Sequence, residues 1–130
     1  MVASSRWSVS IQLASIATLF LLAGFWLRFS APISPSLRDA SGGISYVLVF
    51  ILAFGALSQK ASSQTISIGV LGVTCCLEFL QLWHPDWLEA CRRTLPGRLL
   101  LGTTFEWTDF PPYFIGAALG WAVLRALRKN

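Results

Sequence analysis

Glu78 stands near the end of a long apolar run and is followed by Phe79, Leu80, Gln81, Leu82 and Trp83. A carboxylate in hydrocarbon costs several kcal/mol unless it is paired, hydrogen-bonded or protonated, so such a residue faces a bundle interior and finds partners there. Gln81, three residues on, shares its helical face. Asp109 opens the last apolar run, with Tyr113 one turn later, and Arg38, Asp39, Arg92, Arg93 and Arg98 fall in the two links that meet the same end of the runs. Arg38, Asp39, Glu78, Gln81, Arg98 and Asp109 are therefore expected to converge at one membrane face, with Arg38, Arg92, Arg93 and Arg98 as cationic partners for Glu78. Three chemistries fit such a set. Arg38, Asp39, Glu78, Gln81, Arg92, Arg98, Asp109 and Tyr113 could line a site for a lipid headgroup or similar amphiphile, an ion or a substrate. Glu78 and Asp109 could handle protons in a small transporter or intramembrane enzyme. Or the set is a structural clasp that holds four helices in register, since buried ion pairs also staple helices. Residue types alone do not choose among them.

Other chemistry finds little footing. His84 is the only histidine and sits between Trp83 and Pro85, where it reads as an interfacial polar cap. Cys75 and Cys76 are adjacent within an apolar run and Cys91 stands apart, which is not a metal-ligand spacing and reads as helix packing. No metal and no cofactor are expected. A nucleophile elbow, a glycine-rich phosphate loop and a metalloprotease helix motif are all missing. The net charge of +4 does not point to nucleic acid, because Lys and Arg flank apolar runs instead of forming a stripe with exposed aromatics. The expected partners are membrane lipids.

The elements that must position these residues follow from composition. The chain is 55% hydrophobic and 12% charged, about half the charge of an ordinary soluble domain, which weighs against the alternative of a soluble domain with a large core, since so short a soluble chain needs more polar surface. Residues 9–27 are apolar and uncharged, and 19 residues suffice to cross about 30 Å of hydrocarbon at about 1.5 Å per residue. Trp26, Leu27 and Arg28 follow where a signal peptidase would need small residues, so an uncleaved anchor is expected. Residues 28–43 carry Pro32, Pro35, Gly42 and Gly43 and read as a turn. The second span covers about 42–59 and the third 65–83, joined by a polar turn at 59–64 short enough to make them antiparallel neighbours. Residues 84–108 form a longer link. Its first part, 86–94, reads as a short helix broken at Leu95, Pro96 and Gly97, and Leu99, Leu100 and Leu101 are too few to span and either dip into the interface or re-enter. The fourth span covers 109–124, with Thr108 or Asp109 as N-cap, and Arg125, Arg128 and Lys129 at its headgroup end. Gly116 and Gly120 form a GxxxG for close packing, within the chain or in a homo-oligomer. The expectation is an all-α polytopic membrane protein: one membrane domain, a four-transmembrane-helix bundle with an interfacial or re-entrant link between helices three and four.

The order Leu77-Glu78-Phe79-Leu80-Gln81-Leu82, Pro85, Trp87-Leu88, Arg92, then Gly97-Arg98-Leu99-Leu100-Leu101-Gly102-Thr103-Thr104-Phe105, Trp107, Asp109, Tyr113 and Gly116 resembles the bacterial membrane family called domain of unknown function 2809. Arg38, Asp39 and Gly43 fit its second helix, so the resemblance covers about residues 36–124. It implies a four-helix bacterial inner-membrane protein with no assigned reaction. An intramembrane Glu followed by Gln, then an Asp opening the last helix, is more loosely similar to VanZ-like membrane proteins, which implies a role near the envelope or its lipid-linked precursors.

Sidedness follows from the basic residues. Arg6, Lys60, Arg125, Arg128 and Lys129 share one side with both termini, against Arg28, Arg38, Arg92, Arg93 and Arg98 on the other. If Arg38 and Arg98 are taken up by the polar cluster, five stand against three, and the positive-inside rule puts the termini in the cytoplasm. In a background without native cysteines, a cysteine replacing Asp86 is expected to react with an impermeant thiol reagent added outside. Labelling of one replacing Asn130, with none at 86, would reverse the orientation.

Overall fold

The computed structural model describes residues 2–129, and side chains from residue 6 on, so Asn130 lies outside the described residues. The helices are α1 (Val2–Phe29), α2 (Pro35–Leu57), α3 (Ser63–Leu80), α4 (Asp86–Arg93), α5 (Leu95–Leu101) and α6 (Phe110–Lys129), with a 3-10 turn, Trp107–Asp109, leading into α6. No strand occurs among the described residues. Four segments are long and apolar enough to cross a membrane: Arg6–Phe29, Pro35–Leu57, Ser63–Leu80 and Trp107–Lys129. The chain is an all-α polytopic membrane protein.

Several boundaries differ from expectation, each for a local reason. Residues 35–43 are not a turn but the start of α2. Ser34 caps that helix by accepting from the Leu37 N–H, and Pro35 occupies its first position, where a missing N–H costs nothing. The third span ends at Leu80, not at 83, because Leu82 and Trp83 turn back onto the carbonyls of Phe79 and Leu80. Helix α4 has Asp86 and Glu89 in its first turn and Arg92 and Arg93 in its last, matching the helix dipole. As expected, α4 stops before Leu95–Gly97, but these residues open a further helix where no helix was expected. Thr94 caps a new helix, α5, with its hydroxyl accepting from the Gly97 N–H at 3.1 Å. Only glycine fits at 97, since a Cβ there would lie 1.8 Å from the Cys91 carbonyl oxygen. Neither Thr108 nor Asp109 caps α6. The helix is entered through the 3-10 turn, and the Thr108 hydroxyl donates to the Glu106 carboxylate at 3.3 Å.

Helices α2 and α6 form the centre; α1 packs on α2, and α3 packs chiefly on α6 and more lightly on α2. In lipid there is no hydrophobic drive between helices, so close approach and dispersion must hold them. The α2–α6 seam is lined by glycines from both sides. A Cβ on Gly116 would lie 2.6 Å from the Ile44 carbonyl oxygen, and one on Gly120 would meet Ile51 at 3.0 Å. In the other direction, Gly43 faces Pro112 and Tyr113, and Gly55 faces Leu124. Gly116 and Gly120 are thus engaged within the chain. Leu13, Val47, Leu48, Ile51, Leu52 and Leu124 fill the space between α1, α2 and α6. Outward residues such as Leu19, Leu22, Phe25 and Trp26 remain exposed, as a lipid-facing surface requires.

The end holding the termini is tied by polar bonds. Arg128 does not extend to a headgroup layer: its guanidinium donates to the carbonyls of Gly55 (2.8 Å), Ser58 (2.5 Å) and Ala61 (2.6 Å). It thereby caps α2, whose last carbonyls have no partner within the helix. Ser10 of α1 donates to the Ala56 carbonyl at 3.0 Å and accepts from Gln59 at 2.5 Å.

Candidate functional site

The opposite end carries the polar residues. Glu78, on the last turn of α3, is 1% exposed. Its Oε2 accepts from the Tyr113 hydroxyl at 2.8 Å and from Gln81 Nε2 at 3.1 Å, and its Oε1 accepts from the Glu106 backbone N–H at 3.2 Å. Asp109 adjoins the same carboxylate. One side chain of α3 is therefore bonded to α6 and to the link that precedes it. The helical spacing of Glu78 and Gln81 puts both on one face, as expected, and Tyr113 reaches them because Gly43 lets α2 pass close to its ring.

The cationic partners expected for Glu78 do not reach it. The ion pairs among the described residues are Arg28–Asp39, His84–Glu89 and Arg92–Glu89. The expected partners are dispersed instead. Arg28 and Asp39 pair across the α1–α2 junction, both largely exposed. Arg38 donates at 3.5 Å to the Ala31 carbonyl, and its Nε is buried without a partner. Arg92 is 3% exposed and turns toward α3, not toward Glu78. It donates to the carbonyls of Leu80 at 2.8 Å and Trp83 at 2.9 Å, and to Glu89 at 2.5 Å. It caps the C-terminal end of α3, adding a second donor to the Leu80 carbonyl, which also accepts from the Trp83 N–H, and a donor to the Trp83 carbonyl. Arg98 is exposed on α5, away from the Glu78 carboxylate.

Sequence reasoning missed three contributors. The Glu106 N–H is a backbone group and carries no side-chain signal. Gly102, at φ 69°, ends α5 in a left-handed conformation, and a Cβ there would lie 2.4 Å from Gln81 Nε2, so glycine is needed for the Gln81 side chain to pass. Its place just after a leucine run was the available sign of a helix C-terminus. The third is Glu89, which holds His84 at 3.0 Å and Arg92 together. Phe79, Phe105, Trp107 and Phe110 pack ring on ring beside the cluster, with centroids 5.0–6.1 Å apart. Such a group suits the membrane interface.

The hydrogen bond with His84, then the one from Arg92, hold the Glu89 carboxyl below its usual carboxylate range. A depressed carboxylate contributes stability that is present above its unfolded value of about 4.3 and is lost as pH falls through the folded one. Melting of the solubilised protein is therefore expected to weaken on acidification below about pH 4. Glu89→Gln should flatten that acid limb; an unchanged limb in the variant would assign it to other groups.

Glu78 is thus held by donors from three places, Arg92 ties the α4 link to the end of α3, and exposed charges of both signs surround them on one membrane face. No solved structure matches this chain. The sequence profile of a family described as Protein of unknown function (DUF2809) matches residues 33–117, which include α2, α3, the link and the Tyr113 end of α6. That match covers every candidate residue from Arg38 to Tyr113 and well over half of the chain, and the chain belongs to the DUF2809 family.

Proposed function

We propose that this membrane protein binds the headgroup of a phospholipid or similar amphiphile at its Glu78 face. The observation that carries this reading is the pattern of exposed charge there. Arg93 and Arg98 stand exposed on or beside α5, together with the carboxylates of Asp86 and Glu106. A zwitterionic headgroup, with its phosphate and ammonium, complements both signs. Glu78 itself is closed off by its three donors and serves as the clasp that fixes the link beneath that face. Sidedness is part of the proposal. Arg28 and Arg92, in place of Arg38 and Arg98, are held in ion pairs, which leaves Arg38, Arg93 and Arg98 against five basic residues at the other end and supports cytoplasmic termini in a plasma membrane.

The test is phospholipid co-purification. A basic residue at a headgroup layer contributes about 1 kcal/mol, so Arg98→Ala is expected to lower bound phospholipid by about fivefold. Equal lipid content and identity in both proteins would reject the headgroup reading.

The nearness of Asp109 to Glu78 favours a second reading, in which the two carboxyl groups exchange a proton in a transporter or an intramembrane enzyme. Glu78→Gln separates the two. As a clasp, Glu78 makes charge-assisted bonds of about 1.5–3 kcal/mol each, so the variant should melt earlier or express poorly. A variant with unchanged melting that has lost proton flux in liposomes would favour the second reading.

A further inference from the structure

Between α2 and α3 runs an apolar groove of about 470 Å³ that lies within the spans and opens sideways. Its floor and walls include Phe54, Gly69 and Val73, and Leu100 and Leu101 of α5 roof one end. The groove exists because α3 packs more fully on α6 than on α2. The roof is fixed in place: the Tyr46 hydroxyl donates to the Leu100 carbonyl at 3.0 Å, eleven residues into α2. Along α3 the lining runs from Thr65 to Leu77, roughly 18 Å at 1.5 Å per residue. One leaflet's hydrocarbon is about 15 Å deep, half of about 30 Å. The lining is mostly apolar, and its Tyr46, Thr65 and Thr74 hydroxyls are already bonded to Leu100, Ser62 and Val70.

We propose that this groove seats one acyl chain of a bilayer phospholipid. Two features argue for that occupant. The groove matches a chain in length and lies where the surroundings are hydrocarbon. Exposed Arg98 stands on the same short helix as the two roofing leucines, so a phosphate at Arg98 leaves its chain at the groove's roofed end. For its polar end the inference rests on the headgroup reading above. It adds the part of the lipid that is held and the helices that hold it.

Two glycines of α3 supply a matched test. A Cβ on Gly69 meets nothing within 4 Å and enters the groove; one on Gly72 also meets nothing but lies outside it. The full chain is reconstituted in phosphatidylethanolamine–phosphatidylglycerol vesicles containing phosphatidylethanolamine with a diazirine on one acyl chain, then irradiated and mapped by mass spectrometry. Cross-links are expected to concentrate on residues 46–58 and 65–77 above those on the lipid-facing residues 19–26 of α1. Gly69→Leu should lower groove labelling by about tenfold, the effect of roughly two methylenes' burial, while Gly72→Leu leaves it unchanged. Labelling spread evenly over α1 and the groove in the wild-type protein, or equal labelling in the two variants, would overturn the proposal. The wild-type distribution decides even if Gly69→Leu fails to fold. Groove labelling that persists in Arg98→Ala with undiminished lipid content supports the groove and rejects the headgroup reading. Loss of lipid in Arg98→Ala with no effect of Gly69→Leu does the reverse.

Discussion

A carboxylate cannot lie in hydrocarbon without donors, and Glu78 obtains three. Gln81 is local, but the other two come from far along the chain. The residues between 81 and 109 must therefore fold back so that the Glu106 N–H and the Tyr113 hydroxyl arrive at one point. Much of the link's design answers that demand. Arg92 ties α4 to the end of α3, Gly97 permits the sharp passage into α5, and Gly102 makes room for Gln81. The link is long because it has to return α6 to the carboxylate and still place α5 across the mouth of the α2–α3 gap.

The second constraint is steric. Glycines from both helices bring α2 and α6 into backbone contact, and α3 then settles on α6. Had α3 packed as fully on α2 as on α6, no groove would be left. The unequal spacing follows from small residues being concentrated on one seam, while Gly69 and Gly72 of α3 face open space. Polar bonds close the two ends of the stack, Glu78 at one and Arg128 at the other, and apolar packing fills the middle.

Much of this was legible in the residues. Four spans follow from apolar length, α4 from its acidic start and basic finish, and the Glu78–Gln81–Tyr113 grouping from helical spacing and the shared end of the runs. The beginning of α2 was not, because Pro32, Pro35, Gly42 and Gly43 have the composition of a turn. The decisive signal was the Ser34–Pro35 pair, which starts a helix. The cationic partners of Glu78 were misassigned because sequence shows which end a charge occupies and not which backbone carbonyls lie open there. Arg92 and Arg128 answer to carbonyls at the ends of α3 and α2, a demand that appears only once helix ends are placed in space.

Arg128 also sets an order of assembly. The carbonyls it satisfies belong to the end of α2 and the turn after it, which emerge from the ribosome some seventy residues earlier, as the separation of 73 between Gly55 and Arg128 records. Tyr113, on the same last helix, completes the shell of Glu78 on α3. Until α6 is synthesised, the nascent chain carries a bare helix end at one surface and an underbonded carboxylate at the other. The same last helix completes both surfaces, one with Tyr113 and the other with Arg128.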